Sequence, residues 1–290
     1  MITSVENARV KDVLRLRKAR ERRAVGLFVA EGVREVERAL RAQLVARALY
    51  VAPELLPDWA PPAPPSPAPP LPAPPPASPT TLPPLALPPP PGALPPPAPS
   101  PAPALHNLVP EEVSARVLAK MAYRAEPEGV LGIFEIPQRT LPPGADLILV
   151  AVDIEKPGNL GAMARTADAA GAGALLVAGT ASDPWNPNAI RASTGAVFTL
   201  PIVDATLDEV RALALHKVAA VVGAAKTYTA ADLTQPTALI VGAEDEGLDA
   251  RWREAADMHV SIPMRGRAAD SLNAATSAAL LLYEAVRQRG

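Results

Sequence analysis

From Pro61 to Pro103, 24 of 43 residues are proline, and most of the others are Ala, Ser and Leu. Proline has no amide donor and a fixed φ, so such a run joins neither a helix nor a sheet ladder. It is expected as an extended polyproline-type or disordered spacer. A loop of this length is unusual inside a compact domain. The 290-residue chain must therefore build its cores from what lies on either side. For the tract itself two readings stand: a ligand for a proline-recognising module, or a solvated inserted linker.

The flanks differ from it and from each other. Residues 1 to about 56 alternate: a cationic helix "NARVKDVLRLRKARERR" with Val10, Val13 and Leu14 on a thin apolar side, a strand "GLFVAEG", a helix "VREVERALRAQL" and a strand "VARALYVAP". After the tract come a helix, a turn at Glu126–Gly129 and a strand "VLGIFEIP". That strand is expected to complete the first unit, which makes the tract, about 57–104, an insertion within it. The expected organisation is a small α/β domain over 1–138, a linker over 139–146 and a second domain over 147–290.

From Leu147 the pattern is regular: "LILVAV", "ALLVAG", "FTLPIV", "VAAVVGAA", "ALIVG" and "MHVSIPM" alternate with helices. Strands apolar throughout, with helices between them, predict a parallel sheet covered on both faces.

Composition excludes several classes. Without cysteine there are no disulfides, thiolate metal sites or cysteine nucleophiles. His106, His216 and His259 show no metal-ligand spacing, so no metal is expected. The first residues lack the apolar stretch of a signal peptide, and no long apolar run suits a membrane, so a cytoplasmic protein is expected. The net charge is −2, yet up to Arg47 about twelve Lys and Arg face about six Asp and Glu. A basic end on a near-neutral chain suggests a face for a polyanion.

Three segments carry candidate chemistry. In "DIEKPGNLGAMARTADAAGAG", residues 153–173, glycines follow a strand, as in phosphate-binding loops. The dinucleotide fingerprint is incomplete: Gly158 and Gly161 have no third glycine at the right place, and Asp183 sits in a Pro/Asn loop rather than at a strand end. Asn159 reads as an N-cap and the alanines as close-packing positions. Arg165 reads either as a solvated helix charge or as a site residue. In "IVGAEDEGL", Gly242 allows close backbone approach of a ligand, Glu244 follows, and Gly247 reverses the turn. In "SIPMRGRAADSLNAATSAALLLYE", Ser271 reads as the N-cap of a final helix, with Asn273 in its first turn.

Taken together, in this order and spacing, the three segments resemble the SpoU family of RNA ribose 2′-O-methyltransferases, of the SPOUT superfamily. The resemblance covers about residues 147–287 and includes "NPNAIRASTGAVFTLPI" between the first two motifs. "FVAEGVREVERAL" also resembles the N-terminal RNA-binding domain that many members carry. Two departures are plain: Ala274-Ala275-Thr276 follow Asn273 where a Val-Ser pair is more usual, and the proline tract fills part of the N-terminal domain.

The resemblance implies a parallel sheet closed by a deep trefoil knot, a homodimer whose site is completed across the interface, and S-adenosylmethionine held largely by backbone at Gly242, Ile262, Met264 and Leu272. It implies Asn159, Arg165, Glu244, Ser271 and Asn273 as catalytic residues. Arg165 would clamp an RNA phosphate and polarise the 2′-hydroxyl, since a guanidinium stays protonated and is a poor base. The implied substrate is RNA, 23S ribosomal RNA ahead of tRNA. The basic face gives Arg9, Lys11, Arg15, Arg17, Lys18, Arg22 and Arg23, with Arg20 beside them and Arg191 further on, as phosphate contacts, against the alternative of a solvated helix face. A non-catalytic RNA-binding protein on the same scaffold is the remaining alternative, and the five catalytic positions argue against it.

Overall fold

The computed structural model describes residues 1–62, 109–179, 181–267 and 270–290. Nearly all of the proline-rich insertion, and the spacer expected there, lies outside the described residues.

The N-terminal sheet has four strands in the order β1-β4-β2-β3: β1 (Leu27–Glu31), β2 (Ala46–Val51), β3 (Glu111–Glu112) and β4 (Val130–Glu135). The strand after the tract, β4, lies between β1 and β2 and pairs antiparallel with both. Helix α3 (Val33–Arg41) packs on the sheet, and α4 (Ala115–Met121), capped by Ser114, follows β3.

The expected single cationic helix is two, α1 (Ala8–Arg15) and α2 (Ala19–Val25), with a break at Leu16–Lys18. Arg22 turns inward at this break. Its side chain is 1% exposed, donates from Nη1 to Leu16 O at 2.5 Å, and pairs through Nη2 with Asp183. The break thus offers a backbone carbonyl to a buried guanidinium, which a continuous helix would have kept for its own ladder.

The second sheet has six parallel strands in the order β10-β8-β9-β5-β6-β7. They are β5 (Leu147–Val152), β6 (Ala174–Ala178), β7 (Ile202–Asp204), β8 (His216–Ala220), β9 (Thr237–Val241) and β10 (Met258–Val260). Every residue of β5, β6 and β9 is buried. Alternate residues face opposite layers. Leu149, Leu175 and Leu239 meet α5 (Pro157–Ala169) and α9 (Ala274–Arg289), whereas Ile148, Leu176 and Ile240 meet Val210 of α7 (Leu207–Arg211) and Trp252 of α8 (Ala250–Ala255). Each fully buried Leu or Ile contributes about 1.5–3 kcal/mol. Two expected strands shorten: "FTLPIV" spends Phe198 in a 3₁₀ turn, and "VAAVVGAA" ends as a strand at Ala220.

Aromatic rings join the two sheets. Phe28 of β1 has its centroid 5.7 Å from Phe134, 4.8 Å from Trp185 and 5.9 Å from Phe198. Such pairs add about 0.5–1.5 kcal/mol each beyond their burial. The stretch between the sheets is fastened as well, since Arg139 donates to the carbonyls of Phe198, Thr199 (2.7 Å) and Leu200 (2.9 Å). Among the described residues, no helix is long and apolar enough to cross a membrane, and no group of three or more His, Asp and Glu is placed to hold a metal.

Candidate functional site

Helix α5 starts one turn earlier than its glycines suggest. Lys156 is the N-cap and Pro157 the first helical residue, a position where a missing N–H costs nothing. Asn159 is therefore inside the first turn and not the cap, which leaves its side chain free to reach sideways. Gly161 is required by packing, because a Cβ there would run into the carbonyl of Ala189 and the Cβ of Ala192 on α6 (Pro187–Ser193).

The three segments meet through Asn159. Its Nδ2 donates to Glu244 Oε1, and its Oδ1 accepts from Asn273 Nδ2 at 3.1 Å. Asn273, in turn, is the N-cap of α9, accepting from the amides of Ala275 (2.9 Å) and Thr276 (3.3 Å). The expectation that Ser271 caps this helix is corrected: Asn273 does so, two residues later.

The direction of this chain of bonds is set by its ends. An ionised carboxylate only accepts, so Asn159 must present its amide nitrogen to Glu244 and its oxygen to Asn273. Asn273 must then donate to Asn159 and accept from the helix. An ionised Asp at 273 could cap the helix but could not donate to Asn159.

Glu244 is held by a tight turn. Gly247 N donates to Ala243 O at 3.1 Å, and Gly247 has φ +67°. Packing adds a cause for glycine at 242 beside the one read in the sequence. A Cβ on Gly242 would lie 2.5 Å from both the carbonyl carbon and oxygen of Gly247. The folded turn by itself therefore requires glycine at 242, which also lines the cavity described next.

Beside this network, at the carboxyl ends of β8, β9 and β10, lies a cavity of about 680 Å³. Gly242, Glu244, Ile262, Met264, Ser271 and Leu272 all line it. Its floor includes the buried Val241, Leu248 and Val260, and its rim carries Glu244, Asp245, Glu246 and Asp270. Among the described residues, the backbones of Ile262, Met264 and Leu272 form no backbone hydrogen bond, so their amides and carbonyls are available to a ligand. One wall, Val221–Gly223, was missed in the sequence. The signal was the glycine, which ends the strand run and has φ +76°.

Arg165 is elsewhere. It is exposed on α5, does not line the cavity, and forms no hydrogen bond or ion pair among the described residues.

The basic face is also reordered. Arg22 is buried and excluded as a phosphate contact, because its guanidinium serves Asp183, the very acid that a dinucleotide reading would have wanted. Arg23 donates to Ser182 O at 2.7 Å, and Arg17 to the carbonyls of Lys120 (3.1 Å) and Ala122 (2.5 Å). Arg9 pairs with Glu111, Lys11 with Glu6 at 3.2 Å, and Arg15 with Glu21 at 2.9 Å. Lys18 and Arg20 are exposed without an ion pair among the described residues, and the exposed Arg191 bonds Asn188 at 3.0 Å.

A parallel sheet with a cavity beyond the carboxyl ends of β8, β9 and β10 is the arrangement in which open α/β sheets place ligands. Residues 146–283 match the SpoU rRNA Methylase family and residues 7–64 the MRM3-like substrate binding domain. The crystal structure of an RNA 2′-O ribose methyltransferase superposes with a TM-score of 0.71 at 40% identity, covering 99% of this chain and 98% of that one. An AdoMet-bound rRNA methyltransferase from Sinorhizobium meliloti superposes with a TM-score of 0.74 at 27% identity, covering 99% and 97%. The 23S rRNA (uridine(2479)-2′-O)-methyltransferase of Streptomyces viridochromogenes is 41% identical over 177 residues, 56% of this chain. That match spans 61% of the relative's length. The chain belongs to the SpoU rRNA methylase family.

Proposed function

We propose that this protein methylates the ribose 2′-hydroxyl of an RNA nucleotide, with S-adenosylmethionine as donor and 23S ribosomal RNA as the substrate, in the cytoplasm. The observation that carries this reading is the Glu244–Asn159–Asn273 chain, which ties all three motif segments together beside the cavity. The cavity suits the donor: an apolar floor for an adenine, available backbone groups at Ile262, Met264 and Leu272, and an acidic rim for a cationic ligand. When bound, S-adenosylmethionine supplies an electrophilic methyl group.

The protein's own residues orient and polarise. Glu244, fixed by Asn159, keeps the 243–247 turn against Gly242 and so shapes one wall of the cavity. Ser271, whose Oγ lies on the cavity side near Asp270, orders the substrate end. Arg165 clamps an RNA phosphate and draws electron density from the 2′-hydroxyl, and a phosphate oxygen takes the proton.

A second copy completes the site in this reading. Gly158, Ala162, Arg165 and Ala169 are spaced along the outer side of α5, small enough around Arg165 for a partner to approach. Tyr283, on the neighbouring α9, is exposed. Residues 1–138 grip the RNA, 139–146 link, and 147–290 carry the knotted methyltransferase domain. Ribosomal RNA is favoured over tRNA because the relatives of this chain include 23S rRNA enzymes.

The test uses tritiated S-adenosylmethionine and a 23S rRNA transcript. Arg165→Ala is expected to lose about 100-fold or more in methyl transfer, with calorimetric affinity for S-adenosylmethionine unchanged. Full activity in that variant overturns the assignment.

A further inference from the structure

One exposed aromatic belongs to neither the cavity nor the motif chain. Tyr123 stands in the turn between α4 and β4, 44% exposed. Its backbone is fixed from below: the buried carboxylate of Glu31, at the end of β1, accepts from Tyr123 N at 2.7 Å and from Arg124 N at 3.1 Å. One face of its ring is covered. Arg17, tied to the carbonyls of Lys120 and Ala122, holds its guanidinium carbon 6.0 Å from the ring centroid.

A buried carboxylate spent on holding a turn is costly unless both of its oxygens are used, and here they are. The result is a ring with an immobile base and a solvent-facing side. Arg17 and the exposed Lys120 are the cations beside it, whereas Arg124 is paired with Glu35 and Glu128. Tyr123 and Arg124 also share a small cleft with Asn188 and Arg191 of α6, so the ring stands at the seam between the two sheets.

We propose that Tyr123 is a stacking platform for an unpaired base of the RNA substrate, with Arg17 and Arg191 neutralising the adjoining phosphates. Every base has a π-face, so this contact grips single-stranded RNA without reading its sequence, and it strengthens when a guanidinium is close. A paired base in a duplex has its faces occupied and gains nothing from it. The inference rests on the RNA-substrate reading above.

The test compares wild type with Tyr123→Leu, which keeps apolar volume but removes the π-face, and Tyr123→Trp, which keeps it. The probes are a twelve-residue oligoadenylate and a twelve-base-pair RNA duplex, followed by fluorescence anisotropy. Tyr123→Leu is expected to bind the single strand about tenfold more weakly and the duplex as wild type does, with Tyr123→Trp restoring single-strand affinity. Equal affinity of wild type and Tyr123→Leu for the single strand overturns the proposal, as does an equal loss on both probes. Methyl transfer to the 23S transcript is measured alongside. If wild type transfers no methyl group yet shows the Tyr123-dependent preference, the activity reading fails and the platform stands.

Discussion

Around the N-terminal sheet, charge is buried: Arg22, Glu31 and Glu35 are all nearly inaccessible. In the six-stranded sheet, the buried strands carry only Thr237 as a polar side chain among the described residues, and the one buried charge of that half, Glu284, sits on α9 beside Arg287. The two halves therefore use ions differently. In the first, buried ions hold loops and lock it to the second, as Arg22 does with Asp183 and Glu31 with the Tyr123 turn. In the second, apolar layers carry the fold, and polar groups concentrate where chain segments leave the carboxyl ends of the strands. Breaking a polar interaction in the first half should cost folding; breaking one in the second should cost function.

The harshest test of that contrast is Asp183→Ala. It strands a guanidinium in the seam, and removal of one partner of a buried pair costs about 3–5 kcal/mol. Urea unfolding followed by circular dichroism reads the loss directly. A change below about 1 kcal/mol would place this pair with ordinary surface ion pairs. Next comes Asn273, whose bonds lie wholly within the second half. Asn273→Ala loses the α9 cap, about 1 kcal/mol, and the bond to Asn159. Asn273→Asp keeps the cap but cannot donate to Asn159, so it is expected to fold as wild type and to lose methyl transfer. Those two variants separate the capping role from the site role.

Smaller effects come from charges that neither half buries. Replacing Lys18 and Arg20 by Gln should leave stability unchanged and weaken RNA binding evenly across sequences. The slope of log affinity against log salt should fall by about 1 to 2. The slightest effect belongs to Glu284. Hydrogen bonds from Arg287 first, and then Gln288, hold its carboxyl down at about 2. A lowered folded-state value means that its stabilisation is complete above the ordinary carboxylate range and disappears as pH falls toward 2. Glu284→Gln should therefore flatten acid unfolding in that window. At pH 7, where that stabilisation is complete, the variant should show its full cost, kept below about 1 kcal/mol because Arg287 is largely exposed, and toward pH 2 it should match wild type.

Much of the second half was legible in the sequence for a physical reason. Strands buried on both faces leave unbroken apolar runs, and "LILVAV" is β5 to the residue. The site was legible because a polar side chain on a small-residue helix or after a strand-end glycine has little structural use, and Asn159, Glu244 and Asn273 do meet. Capping was misplaced, because Asn159 and Ser271 look like caps by type, while Pro157 and Asn273 settle the matter by geometry. Arg22 was illegible. In a run of arginines nothing local marks the one that turns inward, and its partner lies at Asp183, far along the chain.

The position of β4 also sets a timetable for synthesis. Val29 of β1 pairs with Ile133 of β4, about a hundred residues later. At about 5–20 residues per second, β1 waits roughly 5–20 s for the strand that covers it. The proline-rich insertion lies within that interval and lengthens it, although each doubling of a connecting loop costs only about 0.6 kcal/mol at equilibrium. Its weight thus falls on the nascent chain, whose half-formed sheet stays uncovered for that interval, and hardly at all on the finished protein.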